Sequence, residues 1–541
     1  MRATSIGHAG ILVETRYGSI VCDPWFDPAF FGSWFVFPRN DRLSPELMAR
    51  IEQPDYLYIS HIHGDHLDET WLPHHISRDT TVLLPGYPTR ELERRLREMG
   101  FTRFVRTTDG TEVTLSGELR IAIHVEVSIT DGPGGDSALV VSDGTSRLVN
   151  QNDCRTSNLD ALRAHGPVDL HWIQYSGAIW YPMVYDEPPE RMRELVDAKV
   201  DSQLTRAMRY VEAVDARAVV PSAGPPAFLD PDLFGLNIID GDELSIFPDQ
   251  RVFMDLLARH GRHGVLAIPG TAIDIEPDGF RVHHPIPDAD VDAIFDDKRT
   301  YLERYQADYL PWLDAMKAGW TQRTPDLLET VKAWWEPLLA MAPTLRAGVG
   351  GNVVLRAVTV DPARPSSSDG DSDGDGDSDS DSDSLDILID FASATVTRHR
   401  GEPYDFRFVV QRELVETVVA QRAVDWSNSL FLSARFRAWR AGPYNEYVYN
   451  FFKSLSVERM RRTEAEALRK LDPDRSGLAG QEIRIGDYVC ERLCPHRQAD
   501  LTVFGEIDGD HLVCTLHGWR FDLGTGECLN ATNRKLRIRP A

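Results

Sequence analysis

The sequence predicts a multidomain protein in three parts, with metal chemistry at both ends and a scaffold between them. Three observations carry this. The chain has 541 residues, which at about 150 residues per domain suggests three or four units. Metal-ligating side chains cluster near each end, from His61 to His66 and from Cys494 to His517. A tract made only of Ser, Asp and Gly, Ser366 to Ser384, interrupts the middle.

Composition narrows the class. The hydrophobic fraction of 42% is that of a globular chain. The formal net charge of −26 argues against binding nucleic acid or an anionic membrane over the whole surface. A local basic pocket remains compatible with it. No apolar run approaches the roughly 18 residues of a membrane span. The N-terminus enters a strand pattern at Ile6, Ile11, Leu12 and Val13, so no signal peptide is expected. Six cysteines are too few for a disulfide scaffold. Four of them, Cys490, Cys494, Cys514 and Cys528, crowd the last part of the chain. Without an export signal, that crowding reads as a metal site in a reducing cytosol.

In the head, taken as residues 1–295, Asp55 to Ser60 reads as a buried strand running into His61-Ile-His63-Gly-Asp65-His66. Residues two apart in extended chain point the same way, so His61 and His63 can converge on one cation. Gly64 permits a tight turn, after which Asp65 and His66 can serve a neighbouring position. Imidazole and carboxylate suit zinc or iron. A lone histidine is usually a satisfied core residue, but three with an aspartate in six residues form a metal motif.

The middle domain, residues 296–470, opens with helical patterns at 297–318 and 326–341 and closes with helices at 443–455 and 457–471. Between them, strand patterns at 352–360 and 385–391 flank an acidic insertion, residues 361–384. The eight aspartates of its Ser366 to Ser384 tract have no basic residue among them, so it is expected to be disordered. It imitates the first half of an EF-hand loop, but the twelfth position is Ser382, where a bidentate Glu is required. Strands joined by a long flexible segment still pair, because closure cost grows slowly with length. The insertion is therefore read as lying inside a hairpin. Further strands are expected at 394–399 and 405–411, and the loop at 472–477 leads to the last domain, residues 471–541.

That last domain carries Cys494-Pro-His496 and Cys514-Thr-Leu-His517. Thiolates hold one iron of a [2Fe–2S] cluster and imidazoles the other, and each loop here supplies one ligand of each type. A structural zinc site is the rival, but its two Cys usually share one short step and its two His another.

These residues carry three resemblances. The run Cys494 to Leu501, then Cys514 to Asp522 with Thr525 and Gly526, closely resembles the Rieske domains of oxygenases. The resemblance implies a small all-β domain with a [2Fe–2S] cluster on Cys494, His496, Cys514 and His517. The cysteine pair of high-potential Rieske domains is replaced by Ala499 and Leu516, which implies the lower-potential class. Cys490 and Cys528 are then packing residues. The His61 to His66 motif resembles the metallo-β-lactamase fold, an αβ/βα sandwich, and Gly7-His8-Ala9 resembles the start of its ascorbate-lactonase-like branch. Asp153 matches the place of the metal-bridging Asp. The resemblance calls for one more His before the hairpin at 139–150; the loop at 130–137 offers Asp131 instead, with His124 as second choice. The usual final His is missing from Val220 to Pro225, which favours one metal ion over two. Finally, Asp23-Pro-Trp25, Gly32-Ser-Trp34, Asn150 to Cys154 and Gln174 to Pro182 are similar to CMP-N-acetylneuraminic acid hydroxylase and its relatives over residues 1–231. Vertebrate members of that family carry the Rieske domain first; here it comes last.

Together the two sites imply oxidation. Hydrolysis needs no electrons, whereas a Rieske cluster passes them singly. The reading is a monooxygenase or hydroxylase whose non-haem iron, held by His61, His63 and some of Asp65, His66, Asp131 and Asp153, uses O₂ and electrons from the cluster. A ferredoxin or flavin reductase would recharge the cluster. The alternatives are a metal-dependent hydrolase, with zinc at the first site and a regulatory cluster, and a non-catalytic redox protein. The substrate is a small molecule, conceivably a nucleotide sugar. Trp25, Trp34, Trp180 and Tyr181 could stack on it, though aromatic rings more often pack. Arg39, Arg42 and Arg155 are candidates for its phosphates.

Overall fold

The computed structural model describes residues 1–87, 89–126, 135–156, 158–321, 326–359, 384–471, 480–495, 499–515, 519–529 and 534–541. The head contains two mixed β-sheets. In the eight-stranded sheet the order is Gly279–His283, Ala272–Glu276, Arg2–Gly7, Gly10–Thr15, Gly18–Cys22, Tyr56–Tyr58, Thr81–Leu84 and Phe104–Arg106. In the six-stranded sheet it is Ala218–Ser222, Leu170–Gln174, Arg147–Asn152, Asp136–Ser142, Leu119–Glu126 and Val113–Ser116.

Alternation decides how they pack. Ile11, Val13, Ile20, Tyr58 and Leu83 face Ile121, Leu139, Val141, Leu170 and Val220 of the other sheet. The opposite faces are apolar too. Leu12, Val21, Leu57 and Val82 cover helices Pro45–Glu52 and Glu91–Glu98. Ile173 and Val219 cover the long helix Pro189–Val214 and helix Gln250–Arg259. Sheets apolar on both faces must be covered on both. The result is the αβ/βα sandwich of the metallo-β-lactamase resemblance. Helix Lys298–Ala318, which the sequence groups with the middle domain, packs its Leu302, Tyr305 and Leu313 against Phe35, Phe37 and Leu229 of the head.

The middle domain is a five-stranded sheet ordered Thr395–Arg398, Leu385–Asp390, Asn352–Val358, Phe406–Gln411 and Phe436–Arg440. Its helices include Leu327–Ala340, Arg412–Ala420, Glu446–Lys453 and Val457–Leu471. The strands flanking the acidic insertion are antiparallel neighbours, in register from Asn352 opposite Asp390 to Ala357 opposite Leu385. Nearly all of the insertion, residues 361–383, and its expected disorder lie outside the described residues. Trp335, Trp426, Phe408, Phe431 and Phe452 form the core, which continues into Trp25, Trp34 and Trp180 of the head. The C-terminal domain has two three-stranded sheets, Glu482–Ile485, Tyr488–Glu491 and Ile538–Pro540, then Gly505–Asp508, His511–Cys514 and Trp519–Asp522. Among the described residues no helix is long and apolar enough to cross a membrane.

Buried charge pins the middle domain to the head. Arg435 Nη2 lies 2.6 Å and Lys317 Nζ 2.7 Å from Asp230 Oδ2, whose side chain is fully buried. Burial opposes the Asp230 charge, but Arg435 and Lys317 hold its pKa below the ordinary value. The carboxylate therefore contributes stability above the unfolded-state pKa near 4, lost as pH falls through the lower folded value. Asp230→Asn leaves Arg435 buried without its counter-charge and should cost about 3 kcal/mol at pH 7 in urea denaturation. The deficit should shrink as pH falls below about 4 toward the lower folded value, at which the wild-type carboxyl is itself neutralised. A deficit unchanged down to pH 2 would contradict this account.

Candidate functional site

Parallel pairing builds the first site. Strand Tyr56–Tyr58 lies parallel between Gly18–Cys22 and Thr81–Leu84, with Cys22 opposite Tyr58. The C-terminal ends of the first two strands therefore abut, and Asp23 meets the loop that starts at Ser60. Asp23 accepts from Ser60 N at 2.7 Å through Oδ1. Its Oδ2 lies 3.1 Å from His66 Nδ1, with both side chains fully buried. This bond fixes the His66 ring and leaves Nε2 for another partner. His66 Nε2 stands 3.5 Å from Asp153 Oδ1 and 3.7 Å from Asp65 Oδ2. On His61, Nδ1 is 2.9 Å from Ser60 Oγ and 3.3 Å from Asp136 Oδ1, and Nε2 is 2.8 Å from His63 Nδ1.

His8 joins this group. It occupies the tight turn between strands Arg2–Gly7 and Gly10–Thr15, with φ at 50°. Its Nε2 is 3.1 Å from Asp65 Oδ2, and its ring stands edge-on to Trp25, centroids 5.0 Å apart. Two overlapping sets of donors result, His8 with Asp65 and His66, and His61 with His66 and Asp153, each within 4.8 Å.

The electrostatics suit a cation. Burial, then the neighbouring histidines, push the His61 pKa well below its usual value, so the ring stays neutral, the form that ligates. Burial opposes the Asp65 charge, but His66 and His8 keep its carboxyl below the ordinary range. Burial likewise opposes the His66 imidazolium, yet Asp153 and Asp65 raise its pKa well above normal. His66 Nε2 and Asp153 Oδ1 are buried without a hydrogen-bond partner. Orphaned polar atoms facing each other in the interior are what a metal ion would satisfy. The residues present fit a metal of the zinc or iron type.

Of the sequence candidates, His61, Asp65, His66 and Asp153 fall in these sets, and His63 adjoins His61. Asp131 lies outside the described residues. His124 is engaged elsewhere, its Nε2 2.7 Å from His165 Nε2. Asp136, five residues on from Asp131, is the acid beside His61. His8 and Asp23 were not counted as site residues from sequence. The signal for Asp23 was its place directly after a buried strand ending at the same sheet edge. The missing final His led to the expectation of one metal; His8 offers the second donor set an imidazole from the opposite end of the head.

In the C-terminal domain Cys494 and Cys514 are fully buried, while His496 and His517 lie outside the described residues. Cys494 N donates to Ala499 O at 2.9 Å, closing the first loop. Cys490 is buried in its strand, and burial pushes its thiol up to about 11, in keeping with packing.

The two regions touch. Cys494, Cys514, Leu501 and Phe504 share one apolar cluster with Ala207, Met208, Tyr210 and Val211 of the long helix. Arg209 pairs with Glu506. The Tyr210 ring lies 6.2 Å from that of Phe504, and its hydroxyl donates to Thr156 O at 3.1 Å. Thr156 is three residues beyond Asp153. Among the proposed substrate contacts, Trp25, Trp34 and Trp180 are buried, Trp180 against Phe431 and Tyr449. Arg39 is held by Asp41 and Asp308, and Arg42 by Asp308.

Comparison with known proteins agrees with this architecture. Residues 475–538 match the Rieske [2Fe-2S] domain, and residues 327–469 match the Rv3818-like, SCP2-like domain. The Rieske 2Fe-2S iron-sulfur protein Rv3818 of Mycobacterium tuberculosis is 40% identical over 546 residues, 99% of each chain. Cytidine monophosphate-N-acetylneuraminic acid hydroxylase of Danio rerio is 28% identical over 188 residues, 34% of this chain and 30% of that one. The structure of CmlA, a diiron beta-hydroxylase from Streptomyces venezuelae, is 20% identical with a TM-score of 0.33, covering 52% of this chain and 54% of that one.

Residues that orient ligands are worth about 10–100-fold in metal affinity. Asp23→Ala should therefore weaken metal binding by about that factor in chelator competition, with the fold intact by circular dichroism. Wild-type affinity in this variant would remove Asp23 from the site.

Proposed function

The chain belongs to the family of the mycobacterial Rieske iron–sulfur protein Rv3818, and from that premise we propose that it is an iron-dependent oxygenase. Non-haem iron would be held in the head by His61, His63, Asp65, His66 and Asp153, with His8 beside them. The cluster would be held by Cys494, His496, Cys514 and His517. Iron bound there would supply O₂ activation, so that one oxygen atom would enter a small-molecule substrate and the other would leave as water with two protons and two electrons.

The observation that carries the reading is the intrachain contact between the two regions. Electron transfer needs a cluster domain close to the metal, and here its buried cysteines share a packing cluster with the helix that Tyr210 ties to the loop after Asp153. The chain's own residues have defined tasks. Asp23 holds the His66 ring so that Nε2 faces inward. Ser60 and Asp136 hold His61 through Nδ1. Tyr210 ties the long helix to the loop after Asp153. The Tyr210 ring packs beside Phe504 of the cluster domain. Electrons would arrive from a ferredoxin or flavin reductase in a reducing cytosol.

Hydrolysis with zinc is the second reading, because His and carboxylate donors suit zinc equally well. Metal analysis of protein prepared without oxygen separates the two. The oxygenase reading expects more iron than the two atoms of the cluster, and zinc in its place would overturn it. Cys494→Ser should keep the head's metal and lose substrate-dependent O₂ uptake; undiminished turnover would point to hydrolysis.

A further inference from the structure

The long helix presents Lys199, Gln203 and Arg206 at helical spacing on one face. Gln203 is 2% and Arg206 6% exposed. Both amide atoms of Gln203 lack a hydrogen-bond partner. The side chain lies so close to Gly177 that a Cβ there would sit 1.9 Å from Gln203 Nε2. Only glycine allows that approach.

Gly177 continues a strip of polar groups in the same condition. Gln174 Nε2, Ser176 Oγ and Ser222 Oγ are buried without partners. Gln174 stands opposite Ser222 in the sheet. A Cβ on Gly224 would lie 3.0 Å from Ser176 Oγ. Ala223 N donates to His8 O at 3.0 Å, so this strip borders the metal donors at one end. Arg155 follows the metal donor Asp153 by two residues and lies near Lys199. Lys199 and Arg155 are partly buried, and among the described residues neither has a carboxylate partner. Burial, with Arg206 and Arg155 close by, pulls the Lys199 pKa down to about 7. Lys199 and Arg155 beside unsatisfied hydroxyl and amide donors form an environment suited to an anion.

We propose that this strip is a substrate subsite taking an oxyanion, a carboxylate or phosphate group, gripped by Lys199, Arg155, Gln203, Ser176 and Ser222. The substrate is then an organic acid or phosphate ester whose reacting carbon lies toward His8 and Asp153. The inference rests on the oxygenase reading only for the reaction, not for the binding.

Calorimetric titration of the metal-loaded full chain with inorganic phosphate, and separately with succinate, tests it. At least one should bind at a saturable site, and the stronger arm tells phosphate from carboxylate. Lys199→Met and Gln203→Leu should each weaken that binding by about tenfold or more while iron content stays that of wild type. Gln203→Glu, which keeps the shape but brings a negative charge, should abolish it. No saturable binding of either anion to wild type would overturn the subsite. So would binding undiminished in all three variants, which would put the anion on the metal. Loss of iron reading with anion binding intact would instead sink the oxygenase and leave the subsite standing.

Discussion

Ala207, Met208, Tyr210 and Val211 of the long helix are buried between the outer face of the six-stranded sheet and the C-terminal domain. The oxygenase reading depends on that double burial. The metal motif lies near residue 60 and the cluster motif near residue 500, and no local interaction connects them. Apolar area on a single helix does. Tyr210 condenses the arrangement into one side chain, whose ring adjoins Phe504 and whose hydroxyl reaches Thr156. A buried tyrosine needs a partner for its hydroxyl, and here the partner is the backbone that leads from Asp153.

The head pays for its site in buried polarity. Asp23, Asp65 and His66 are fully enclosed. Charges in such a place persist only when paired. The pairing is partial, since His66 Nε2 and Asp153 Oδ1 face one another without a hydrogen bond. An unpaired polar pair of this kind is what a bound ion would satisfy. The same argument extends to Ser176 and Ser222 at the neighbouring strand ends and to Gln203 on the long helix, whose polar atoms are likewise unpaired.

Sequence made some of this legible and not the rest, for a physical reason. His61 to His66 and the two Cys-x-His and Cys-x-x-His steps are local, so spacing alone exposes them. The alternation at 352–358 and 385–390 likewise marks strands that prove to be neighbours across the acidic insertion. His8, Asp23 and Asp136 are different. Each sits at a strand end, and only the sheet order brings them to the motif. Asp23 could have been inferred, because an acid directly after a buried strand parallel to the motif strand must lie at the same edge. His8 could not, since its approach depends on a reversal within a two-residue turn. The tryptophans near the motif were ambiguous for another reason. Trp180 meets Phe431 and Tyr449, residues more than 200 positions away, and no local pattern predicts such packing.

The central claim is that the cluster serves the head's metal within one chain. Its most direct measurement is single-turnover kinetics. The cluster is reduced without oxygen, the protein is mixed with O₂ and substrate, and the loss of the reduced-cluster electron paramagnetic resonance signal is followed across a range of protein concentrations. The account predicts a rate independent of concentration that collapses in His66→Ala. A rate rising in proportion to concentration, or one indifferent to His66, would contradict it.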